Sequence, residues 1–107
     1  MLKMQAYKNV ELIKKANIYF DGKVTSRSFI NEFGDEQSLG IMQVGEYNFA
    51  TAKAELMEVI DGEVEVKLEG EDTWVKYLGG SSFKVTDNSN FDIKVHAICD
   101  YCCSYLD

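Results

Sequence analysis

The chain has 107 residues, 46% apolar and 27% charged. That fits one globular domain and excludes a disordered chain or a catalytic domain with a separate regulatory one. Eleven lysines and arginines against eighteen acids leave a net charge of −7. The basic residues are scattered among acids, so nucleic-acid polymers and anionic membranes are poor partners, although a local pocket can still hold a small anion.

The N-terminus, Met1 to Lys15, carries no apolar h-region, and nowhere does an apolar run approach the ~18 residues of a membrane span. A cytoplasmic protein is expected from cysteines that form no disulfide framework and so point to reduced thiols. Leu2, Tyr7, Val10 and Leu12 or Ile13 fit either one amphipathic helix or a loosely held arm. Residues 1–17 are therefore read as an N-terminal extension, and residues 18–107 as a single domain.

From Ile18 onward the period is two. Strands are expected at Lys23–Phe29, Leu39–Val44, Tyr47–Thr51, Trp74–Tyr77 and Ser82–Val85. Met57 and Val59 run into Asp61-Gly62, a hairpin signal, and Val64, Val66 and Leu68 alternate with charges beyond it. Phe91, Ile93 and Val95 form another alternating run, and Tyr101, Cys103 and Tyr105 share one face of a last strand. Turns are expected at Asp21-Gly22, Gly34-Asp35, Gly45-Glu46, Gly70 and Gly79-Gly80. Many short strands with glycine turns predict an all-β sandwich or closed barrel, with Met57, Val59, Val64, Val66 and Phe83 buried.

Cys99, Cys102 and Cys103 all fall in the last nine residues. An odd, clustered set makes no disulfide framework. The Cys99/Cys102 spacing is open to a metal or redox pair, or to small buried residues in a strand. A zinc site wants four ligands, and His96 is the single histidine. His96 lies on the opposite parity to Ile93 and Val95, which suits an exposed side chain better than a catalytic base.

A small antiparallel barrel binds ligands at its mouth. Gly45 to Gly62 resembles the first motif frame of the cupins, with Glu55 at the ligand-glutamate position, and Gly80 to Ser89 resembles the second. The histidine positions of both frames hold other residues, such as Asn48, Ala50, Thr51 or Lys53 in the first and Asn88 in the second. A metal-free cupin-type jelly-roll barrel is expected.

The match then narrows. Tyr19-Phe20-Asp21-Gly22-Lys23-Val24 with Ser26 and Phe29 comes first. Gly40-Ile41-Met42, Gly45-Glu46-Tyr47 with Phe49 and Thr51, and Glu55 with Met57, Val59, Ile60 and Gly62 follow. Trp74, Gly80-Ser81 with Phe83 and Val85, Asn88-Ser89 with Phe91, and Tyr101, Cys103, Tyr105 and Leu106 complete it. In this combination, covering about residues 17–107, the chain resembles the small cupin family of pyrimidine/purine nucleoside phosphorylases. It departs in having Thr86 where the family usually has proline, a change that can move the loop of Asn88 and Ser89. The first sixteen residues have no counterpart in the short members.

The resemblance implies cleavage of nucleosides by inorganic phosphate, to free base and ribose 1-phosphate, with no metal and no cofactor. Such a reaction needs an anion subsite, stabilisation of charge developing on the sugar, and a proton or hydrogen bond for the departing base. Lys23 and Arg27 are candidates for phosphate, or are solvated surface charges. Glu55 and Glu46 are candidates for the sugar, with Glu55 favoured by its frame. Tyr47, Phe49, Tyr101 and Tyr105 can stack on any base, or belong to the core. Thr51, Asn88 and Ser89 can donate to phosphate or base edges, or cap turns. A homodimer is expected, because small cupins tend to pair. A non-catalytic sugar- or nucleoside-binding cupin remains the alternative, and a cationic subsite beside the sugar pocket is required only by the enzyme.

Overall fold

In the computed structural model, which describes residues 5–107, the alternating runs become nine strands, and every pairing among them is antiparallel. They are β1 (Glu11–Leu12), β2 (Asn17–Tyr19), β3 (Val24–Ile30), β4 (Glu36–Met42), β5 (Gly45–Ala50), β6 (Ala54–Leu68), β7 (Val75–Leu78), β8 (Ser81–Val85) and β9 (Asn90–Leu106). A 3-10 turn at Phe20–Gly22 links β2 to β3. The pairing order is β1-β3-β4-β9-β6-β7, with β2 also on β3, β5 on β9 and β8 on β6. Among the described residues no pairing joins the two ends, so the barrel is open rather than closed.

Two long strands make this layout. β6 carries β8 on its first half and β7 on its second, while β9 takes β5 along its first half and β4 along its second. The two therefore pass through both halves of the molecule, paired with each other along most of their length. The expected hairpin at Asp61-Gly62 is corrected: the chain runs straight on. The register between β6 and β9 shifts at Val59/Asp61, Asp61/Glu63 and Glu63/Val64, which makes this a bulge. Gly62 sits at φ +112, and a Cβ there would lie 2.4 Å from the Ile98 carbonyl oxygen. A turn-like dipeptide is absorbed because one continuous partner strand satisfies the backbone on either side. The two expected strands around Ile93 and Cys103 likewise merge into β9, as His96-Ala97-Ile98 carries no breaker. Gly45 opens β5 instead of forming a separate turn with Glu46.

Alternation sets the core. Val24, Met42, Met57, Val59, Val64, Val66, Phe83, Val85, Phe91, Ile93 and Val95 are buried, including all five residues expected there. All three cysteines are free and buried. Cys99 and Cys103 face the core, and Cys102 lies on the opposite side of β9, against Tyr7 and Gln37. The spacing Cys99/Cys102 thus turns its two thiols to opposite faces of the strand. His96 is exposed, with Nε2 2.7 Å from the Glu65 carboxylate.

The extension contains no helix among its described residues; Leu2 lies outside them. It runs beside β3 instead, forming β1 and the first residue of β2. The Tyr7 ring packs 5.2 Å from that of Phe29, and its hydroxyl accepts a hydrogen bond from Gln37.

Candidate functional site

Residues of six strands, β2, β3, β4, β5, β6 and β9, point their side chains into one interior cavity of about 130 Å³. β6 contributes Glu55 and Met57, and β9 contributes Phe91, Tyr101, Cys103 and Tyr105. Ser26 enters from β3, Ser38 and Met42 from β4, Phe49 and Ala50 from β5, and Tyr19 from β2. The period-two rule produces this grouping: apart from Ala50, which lies at the rim on the other parity of β5, each residue shares the core-facing parity of its strand. The walls are aromatic and aliphatic, and the polar groups are one carboxyl, three phenols, two hydroxyls and one thiol.

Register places the polar groups against one another. Glu55 stands opposite Tyr105 across the β6–β9 ladder, and Met57 stands opposite Cys103. Ser38 is opposite Cys103 across the β4–β9 ladder, and its hydroxyl is 3.4 Å from the Tyr105 hydroxyl. Gly40 lies between Ser26 on β3 and Tyr101 on β9.

Burial governs the protonation of this cluster. It raises the Glu55 carboxyl above its usual range, and a hydrogen bond from the Cys103 thiol offsets part of the rise. Burial pushes Tyr105 up to about 12, with the Ser38 hydroxyl acting in the opposite direction. Tyr101 is raised further by burial, with Ser26 opposing, and Cys103 is raised by burial and by the neighbouring Glu55. At neutral pH the Tyr101 and Tyr105 phenols and the Cys103 thiol are therefore neutral donors.

Of the candidates read from the sequence, the structure brings Glu55, Phe49, Tyr101 and Tyr105 into the cavity. It sets the others elsewhere. Tyr47 is buried, but its hydroxyl donates to the Gln43 carbonyl at 2.7 Å, and its ring lies 4.9 Å from that of Phe20. Glu46 is exposed, 3.7 Å from Lys94. Thr51 donates to the Thr86 carbonyl at 2.7 Å and accepts from the Ser89 backbone N–H at 3.0 Å. The Ser89 hydroxyl donates to Glu69, and the Asn88 backbone N–H to the Ala52 carbonyl. These three residues hold the 86–89 loop. Since Thr86 enters through its carbonyl, which proline also has, this network is available with either residue.

Lys23 and Arg27 are exposed, whereas Val24 and Ser26 between them are buried, so the two cations project away from the cavity. Arg27 donates to the Lys14 carbonyl and lines a second, larger hollow of about 330 Å³ with Leu12, Ala16, Thr25, Phe29 and Leu39. Gly40 and Ser26 also border that hollow, Ser26 lining both spaces; apart from Arg27, Thr25 and Ser26 its lining is apolar, and it contains none of the carboxyl, phenol or thiol groups. The smaller cavity is the candidate site, because the ionisable groups converge there. No lysine or arginine is among its lining residues, and the described residues hold no group of three or more histidines, cysteines and acids placed to share a metal.

The sequence reading left Tyr19, Ser26, Ser38 and Cys103 out of the site. Ser26 carried a usable signal, a hydroxyl residue on the parity of Val24 in the expected strand, whereas Ser38 precedes the expected start at Leu39 and enters only because β4 begins at Glu36.

Comparison with known proteins follows the same lines. The family model described as "Pyrimidine/purine nucleoside phosphorylase" matches residues 14–105. A pyrimidine/purine nucleoside phosphorylase of Syntrophotalea carbinolica is 54% identical over 103 residues, covering 96% of this chain and 99% of that one. One from Leptospira interrogans is 50% identical, covering 96% and 97%. These alignments take in most of the first sixteen residues, so the extension does have counterparts. Among solved structures, a protein of unknown function from Acinetobacter superposes with a TM-score of 0.90 at 33% identity, covering 94% of this chain and 98% of that one. An RmlC-like cupin from Shewanella frigidimarina gives a TM-score of 0.67 at 15% identity, covering 98% and 90%, and shows the cupin fold alone.

Proposed function

Because the chain belongs to the pyrimidine/purine nucleoside phosphorylase family, we propose that it cleaves nucleosides with inorganic phosphate, to free base and ribose 1-phosphate, and that the interior cavity is where it does so. The observation that carries this reading is the convergence of Glu55, Tyr101 and Tyr105 on one partly apolar space.

The chemistry follows from those groups. Phosphate attacks the anomeric carbon as the bond to the base breaks, and positive charge develops on the sugar. A Glu55 carboxylate facing the ring stabilises that charge, and more strongly in a site with little water. The Tyr101 and Tyr105 phenols, neutral at working pH, donate to the departing base or to ribose hydroxyls. Phe49 and Phe91 offer flat faces that accept a purine or a pyrimidine. Ser38 is the serine hydroxyl the cavity offers a phosphate oxygen, while Ser26 faces the Tyr101 phenol. No cofactor enters this scheme.

One observation favours a second reading, a non-catalytic sugar- or nucleoside-binding cupin: the cavity lining has no cation. Release of free base from uridine and adenosine separates the two. The enzyme releases base only when phosphate is present, and a binder releases none under either condition.

Two further parts of the proposal are association and location. Leu39, Ile41 and Ile98 are 39%, 40% and 57% exposed on the outward parity of β4 and β9, and a homodimer would cover this face. Light scattering at micromolar concentration should give twice the chain mass. Free buried thiols accord with a reducing cytoplasm.

A further inference from the structure

Gly40 sits in the interior of β4, where a glycine loses about 0.5–1 kcal/mol relative to alanine through backbone freedom and gives nothing to the core. Its backbone is not in the left-handed region, so conformation does not demand a glycine. Space does. A Cβ at this position would lie 2.8 Å from Cζ of Tyr101, 2.8 Å from Cβ of Ser26 and 2.2 Å from the Thr25 carbonyl oxygen. Cζ is the ring atom that bears the phenol oxygen. The Tyr101 ring therefore leans from β9 across β4 toward β3, through the volume any side chain at residue 40 would fill, and its hydroxyl reaches the neighbourhood of Ser26.

We propose that Gly40 is a positioning residue for nucleoside cleavage: its missing side chain is the slot in which the Tyr101 phenol lies, with Ser26 as the stop that holds the hydroxyl in the cavity. The proposal rests on the reading of the cavity as the nucleoside site. Its physical content is a distance. A hydrogen-bond donor displaced by about 1 Å from its acceptor loses most of its effect on a transition state. A methyl group at residue 40 pushes the phenol by about 1 Å, because 2.8 Å is well inside the ~3.5–4.0 Å of carbon–carbon contact.

The Thr25 carbonyl contact offers a competing explanation, in which Gly40 only lets β3 and β4 approach. A double-mutant cycle separates the two. Gly40→Ala, Tyr101→Phe and the double variant are compared for kcat/KM of phosphate-dependent cleavage, with circular dichroism and Tm confirming the fold. We expect each single variant to lose about tenfold or more, and Gly40→Ala to add nothing in the Tyr101→Phe background. Losses that multiply would overturn the proposal and leave the site reading standing. If Tyr101→Phe keeps parental kcat/KM, the site reading itself fails for Tyr101, and the proposal falls with it. Should Gly40→Ala not fold, Ser26→Ala takes its place in the same cycle. A loss absent in the Tyr101→Phe background then supports the slot, and parental activity or a multiplied loss overturns it.

Discussion

Glu55 and Tyr105 are register partners across the β6–β9 ladder, and both side chains enter the same cavity. Cross-strand partners share one face of a sheet, so the pairing fixes a carboxyl and a phenol side by side without any loop to hold them. Glu55→Gln keeps the shape and removes the charge. It should lower phosphorolysis by about tenfold or more, at least ~1.4 kcal/mol in barrier, with the fold intact. Glu46→Gln, at an exposed carboxylate paired with Lys94, should stay near the parental rate. Equal rates for Glu55→Gln and the parent, on uridine and adenosine, would remove Glu55 from the catalytic scheme.

The same carboxyl makes stability depend on pH. Burial raises the folded-state pKa of Glu55, so the folded chain binds this proton more tightly than the unfolded one. The cost of the charge is absent below the ordinary carboxylate range. It grows as pH rises through the folded value, and is constant beyond it. Glu55→Gln should therefore gain in urea midpoint, relative to the parent, on going from about pH 4 to pH 7. A difference that shrinks over that interval contradicts the assignment.

How much of this was open to sequence reading differs by feature. The core was, because Val64, Val66, Phe91 and Ile93 alternate with charges and only one parity can be buried. The Asp61-Gly62 bulge was not, since the same dipeptide serves a hairpin or a bulge and only the continuous partner strand decides. Tyr101 and Tyr105 were legible as a pair on one face, and Tyr47 failed the same rule because a local carbonyl, that of Gln43, takes its hydroxyl. Lys23 and Arg27 illustrate the limit most directly. Charge type suggested phosphate, but parity alone put Ser26 inside and the two cations outside.

The bulge makes its own prediction. Gly62→Ala forces a Cβ to 2.4 Å from the Ile98 carbonyl at a φ of +112. It should cost on the order of 1–3 kcal/mol in denaturant unfolding. Gly70→Ala is the control: its φ of +81 also strains a side chain, but nothing lies within 4 Å of its Cβ. The expected order is a larger loss at residue 62, and the reverse order would mean that contact with β9 is not what constrains the bulge.

Metal dependence is tested by chelation. The lone His96 is on the surface beside Glu65, and attack by phosphate needs no metal-bound hydroxide. Exhaustive treatment with EDTA should leave kcat unchanged. Activity that disappears and returns with one divalent ion would require ligands that the cavity lining does not supply.

The last prediction concerns where phosphate binds. Arg27 projects from β3 on the side opposite Ser26, and its guanidinium is engaged by the Lys14 carbonyl. Lys23 shares that exposed parity just before β3 begins. If phosphate is held inside the cavity by hydroxyls, removing either cation changes only the field at a distance, which solvent and salt screen strongly. Arg27→Ala and Lys23→Ala should then leave the KM for phosphate within about twofold of the parent at physiological salt. Ser38→Ala should raise it, because Ser38 is buried and its hydroxyl faces the cavity beside Tyr105. The contrasting result is a KM for phosphate that rises at least tenfold in Arg27→Ala or Lys23→Ala and is unchanged in Ser38→Ala. That outcome moves the anion subsite to the outer side of β3 and requires the nucleoside to be reached from there.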